Sequence, residues 1–149
     1  MTTVNQPVTA DQFMQAERHA ITGVFARLLS RYHATHGEGH AARYAMAVTN
    51  ILFSLPAQEM DRRFLEHHRE TVDKEVKALK DDREIREIVT ETVTMRIVFA
   101  SRERGCSQKD LMKPIESLKN LGLYLQGDSI PTPRSFVVKA EAFFKASPR

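Results

Sequence analysis

The sequence predicts an all-α protein, a single-domain irregular bundle of five or six helices. Three observations carry this expectation. Apolar residues recur at three- and four-residue steps along most of the chain, capping residues stand at the heads of those runs, and no two segments alternate well enough to pair as strands. The 149 residues fit one domain, large enough to hide about two thirds of the surface of the unfolded chain. Hydrophobic residues at 42% and charged residues at 28% are ordinary globular values, which excludes collagen-like and disordered classes.

The expected helices span residues 10–33, 40–55, 57–80, 83–101, 108–121 and 133–146, with residues 1–8 disordered ahead of them. Thr9 and Gln12 fit a capping box, in which each side chain satisfies a free backbone N–H of the other. Phe13, Ala16, Ala20, Val24, Leu28 and Tyr32 then draw one stripe, widened by Ile21, Phe25 and Leu29. The second stripe, Ala41, Tyr44, Ala45, Val48, Ile51, Leu52 and Leu55, runs into Pro56. Pro56 suits the first turn of a third helix, where its missing N–H is not needed. There Met60, Phe64, Val72, Val76 and Leu79 form the buried stripe, and Glu59–Arg63, Glu70–Lys74 and Asp73–Lys77 are acid-before-base pairs on the other faces.

Two periods compete in IVTETVTMRIVF, residues 88–99, which is rich in β-branched residues. As a strand, Val89, Val93, Met95, Ile97 and Phe99 share a face that Glu91 interrupts. As a helix, Ile85, Ile88, Val89, Thr92, Met95, Arg96 and Phe99 share a stripe. The helix is favoured because a lone strand leaves its ladder unpaired. Asp81 and Asp82 offer a turn or cap before it. Further on, Leu111, Ile115, Leu118 and Leu121 form a segment kinked at Pro114 and stopped at Gly122. Thr132 and Pro133 read as cap and first position of the last helix.

Charge and cysteine content bound the function. Cys106 has no partner for an intramolecular disulfide, so a reducing, cytoplasmic setting is expected. The amino end lacks a basic start and an apolar block, and no apolar run is long enough to span a bilayer. The net charge of +3 is uneven: residues 1–99 carry 13 basic and 14 acidic side chains, residues 100–149 carry 9 and 5. Arg102, Arg104, Lys109, Lys113 and Lys119 make a candidate basic surface, but they are spaced singly and lack an aromatic platform. Weak electrostatic nucleic-acid binding is the third functional reading. A winged helix-turn-helix does not fit between Leu111 and Leu121.

HATHGEGH, residues 33–40, holds three of the six histidines. If the second and third helices fold back near Leu55 and Pro56, His67 and His68 come opposite Arg43 and Tyr44, and His40 lies about one turn away. His33, His36, His40, His67, His68 and Glu38 are therefore candidate ligands for zinc or iron. No recognised metal motif accompanies them, and Gly37 and Gly39 favour a loop, so the expectation is turn and surface histidines with no cofactor.

No nucleophile elbow or phosphate-binding glycine loop is present, which leans against an enzyme. Thr49 and Asn50 interrupt an apolar helix; the expectation is a buried Asn50 that fixes register, the alternative the edge of a ligand pocket. Phe136, Val137, Phe143 and Phe144 spread over an arc wider than one core requires, and Val93 and Ile97 add apolar surface beside them. These six are the candidate self-association surface. The expected function is a non-catalytic helical interaction or assembly module, a homodimer or the binder of a protein partner, with a metal-binding bundle as the alternative.

Overall fold

Thr9 opens the first helix as its spacing predicts. In the computed structural model, which describes residues 8–104 and 132–146, the Thr9 hydroxyl accepts the Gln12 N–H at 3.1 Å and Gln12 returns an oxygen to the Thr9 N–H at 3.0 Å. The helix, α1 (Ala10–His36), buries Phe13, Ala16, Ala20, Val24, Leu28 and Tyr32 along the expected stripe. Val8, assigned to a disordered start, packs against the core; residues 1–7 lie outside the described residues.

The histidine-rich segment is helical on both sides of a one-residue joint. Gly37 has φ +80, and α2 (Glu38–Leu52) begins at once, so Gly39 falls inside its first turn rather than in a loop. Of these two glycines only Gly37 needs to be one, and for φ, since nothing lies within 4 Å of an added Cβ at either.

Three residues earlier than expected, α2 stops in a reciprocal pair of bonds. The Leu55 N–H reaches the Asn50 carbonyl at 2.9 Å and the Ser54 N–H the Ile51 carbonyl at 3.2 Å, with Ser54 at φ 53. This is a Schellman stop with serine where glycine is usual. It leaves Pro56 in the connection rather than in the next helix, and the chain resumes as α3 (Glu59–His67) and α4 (Arg69–Ala78).

One helix was expected over 57–80, but His68 departs to φ −118, ψ 22 and divides it. Met60, assigned to the buried stripe, stands 76% exposed, while Phe64, Val72, Val76 and Leu79 are buried. None of the three expected acid-before-base pairs closes within 4 Å among the described residues; Arg69 and Asp73 meet instead at 3.7 Å.

After a 3-10 turn, Leu79–Asp81, Asp82 caps α5 (Arg83–Arg104) by accepting the Ile85 N–H at 3.2 Å. The β-branched segment is helix, not strand. Thr92 and Thr94 donate to the carbonyls of Ile88 and Thr90 at 2.6 and 2.7 Å, so these hydroxyls are satisfied within their own helix. The whole run Ile88–Val93 is buried. Glu91, 6% exposed, is met by Lys139.

The last described helix, α6 (Pro133–Ala146), keeps its expected bounds, and the Thr132 hydroxyl accepts the Ser135 N–H at 3.1 Å. It packs against both α1 and α5. Two neighbours explain an apolar arc wider than one stripe. Phe13 stacks on Phe99 with centroids 4.5 Å apart and lies 6.0 Å from Phe136, which ties the three helices at one point. Among the described residues there is no strand, and no helix is long and apolar enough to cross a membrane. The expected helix at 108–121, with Pro114 and Cys106, lies outside the described residues.

Candidate functional site

The end of α1, the start of α2 and the α3–α4 break meet around Tyr44, which is buried. His36 donates from Nε2 to Glu75 Oε1 on α4 at 3.0 Å, and its ring lies 4.3 Å from that of Tyr44. The Tyr44 hydroxyl is 3.1 Å from His68 Nδ1, and the His68 ring stacks on Phe64 at 4.4 Å. His40 stands 6.1 Å from His68, ring to ring. The fold-back of the second and third helices thus brings His36, His40 and His68 together as counting from the turn anticipates.

His33, His67 and Glu38 are exposed and do not join them. Two of the gathered imidazoles have committed a nitrogen, one to Glu75 and one to Tyr44. Among the described residues no three His, Cys, Asp or Glu side chains are grouped so as to hold a metal ion. The sixth histidine, His19, stacks on Phe144 at 4.5 Å.

Beside this cluster Tyr32 is 1% exposed, and its hydroxyl has no hydrogen-bond partner among the described residues. Burial drives its pKa far above the ordinary value, the Glu75 charge adds to the rise, and Arg31 offsets part of it.

A groove runs from the cluster along α2 and α3 to the flank of α1. Its smaller hollow, about 350 Å³, lies between Ala42, Arg43, Met46, Met60, Phe64 and His68. The larger, about 610 Å³, adds Ile21 and Phe25 of α1, then Asn50, Pro56 and Gln58. Arg43, Met46, Met60 and Asp61 line both, so the two are one continuous depression. Thr49 is buried and donates to the Ala45 carbonyl at 2.6 Å. Asn50 is half-buried on the groove wall, not the fully buried residue that was expected.

Met46 and Met60 line both hollows, a placement that the sequence did not lead one to expect. Met46 is 42% exposed and falls between the positions of its helix's apolar stripe, the one signal in the sequence that it faces outward.

The candidate self-association residues lie elsewhere. Phe136, Phe143 and Val93 are in the core, Val137 and Ile97 are half-buried against it, and Phe144 is 36% exposed. Of the basic surface, Arg102 and Arg104 belong to the last turn of α5, and Lys109, Lys113 and Lys119 lie outside the described residues. No family model, curated protein or solved structure matches the chain.

Proposed function

We propose that the protein is a non-catalytic interaction module that seats an amphipathic helix of a protein partner in the groove between α1, α2 and α3. One observation carries the reading: Met60 and Met46 stand out from the surface at the point where the two hollows join. An unbranched, polarisable thioether adapts to varied apolar shapes, which suits a surface that must accept a foreign helix. The floor beneath is apolar, with Ile21 and Phe25 backed by the core. No catalytic motif competes with this reading. Zinc or iron at the histidine cluster lacks a grouped ligand set among the described residues, and self-association is left without Phe136, Phe143 and Val93.

Selection from a displayed peptide library tests it. The enriched peptides are expected to repeat apolar residues at i, i+3, i+4 and i+7, and to lose binding to the Met46→Asp/Met60→Asp variant. Enriched peptides that bind this variant as well as the wild type defeat the proposal, as does a library that yields no binder.

A further inference from the structure

We infer that the groove selects helices with acidic flanks, carrying aspartate or glutamate along both edges of the apolar stripe. The inference rests on the groove reading above and adds the chemistry of the partner. Each wall presents a guanidinium: Arg43 from α2 lines both hollows, and Arg63 from α3 lines the smaller. Both are exposed, and neither makes an ion pair or hydrogen bond among the described residues.

Arg18 and Arg62, also exposed, share that state, but three arginines of the bundle body do not. Arg27, Arg31 and Arg96 each hold a carboxylate from another element, at 2.8, 3.7 and 2.8 Å. Asp61 is the one carboxylate lining the two hollows, and it makes no ion pair with either arginine. His67 and His68 extend the same rim. A helix lying in the groove would place one edge of its stripe beside Arg43 and the other beside Arg63. A guanidinium accepts a carboxylate through two parallel N–H donors, so acidic residues on those edges complete what the protein leaves open.

Three designed helices of about 20 residues test it, sharing one leucine stripe and differing only in flanks of glutamate, glutamine or lysine. Fluorescence anisotropy with the whole protein is expected to rank them glutamate, glutamine, lysine, with about tenfold between the first two at low salt. The gap should narrow as salt rises. In Arg43→Glu/Arg63→Glu the order should reverse; both positions are exposed, so circular dichroism is expected to be unchanged. Equal affinity for the three helices, with all binding abolished by Met46→Asp/Met60→Asp, overturns the acidic preference and leaves the groove intact. A lysine preference in the wild type overturns it in Asp61's favour. Absence of binding, or binding indifferent to the methionine variant, removes groove and preference together.

Discussion

The Tyr44 hydroxyl meets His68 Nδ1 at 3.1 Å, and His68 is the residue at which the chain breaks between α3 and α4. Tyr44→Phe keeps the ring against Phe64 and removes this bond. It is expected to cost about 1 kcal/mol in urea unfolding. Amide exchange around the break should quicken while that of α1 does not; exchange that stays as slow as in the wild type would show that the bond does not hold the break.

Tyr32 gives the opposite expectation for the same chemical change. Its hydroxyl is buried and unpartnered among the described residues, so Tyr32→Phe should be neutral or stabilise by about 1 kcal/mol. The pH dependence follows in sign. The folded pKa lies above the unfolded value of 10.0, so stability is full below pH 10 and falls as the unfolded chain sheds a proton that the folded chain keeps. Chemical denaturation of both proteins between pH 8 and about 11 should show a steeper decline for the wild type; parallel curves would sink this account.

Arg96 joins three elements at once. Its Nε donates to Glu17 at 2.8 Å and its Nη1 to the Phe53 carbonyl at 2.6 Å, so α5 is tied to α1 and to the end of α2. Arg96→Ala strands a carbonyl on a fully buried residue and is expected to cost about 2–3 kcal/mol. Arg96→Lys lacks the fork that reaches both partners and should recover less than half of that. Full recovery by lysine would mean that charge alone matters there.

Ser54 holds a backbone conformation that a Cβ disfavours. Comparing Ser54→Gly with Ser54→Ala removes the hydroxyl in both and isolates φ. The glycine variant should be the more stable by about 1 kcal/mol, read as a higher thermal midpoint. An alanine variant of equal stability would contradict the strain.

What the sequence made legible was local. Of the stripe Ile85, Ile88, Val89, Thr92, Met95, Arg96 and Phe99, all but the half-buried Arg96 are buried as read, and Thr92 satisfies its hydroxyl four residues back. The start of α6 follows from Thr132 and Pro133 alone. The division at His68 was not legible, since no glycine or proline marks it and the contact that accompanies it comes from Tyr44, 24 positions away. The histidines' convergence could be counted from the turn, whereas their engagement by Glu75 and Tyr44 depends on side-chain directions. For the groove, Met60 fitted an apolar period whose helix ends at His67, so its exposure became visible only with the break in place.

Gly37 also bears on the order of events in folding. A single residue connects the two longest-contacting helices, α1 and α2, so their encounter costs almost no loop-closure entropy. By contrast, α6 must return to α1 from the far end of the sequence. The helix pair at Gly37 is therefore expected to be the nucleus and α6 the late arrival. A core truncation in α2, such as Val48→Ala, should then slow refolding, while one in α6, such as Phe136→Leu, should chiefly hasten unfolding. The same glycine that fits a backbone angle would set the rate at which the chain finds its structure.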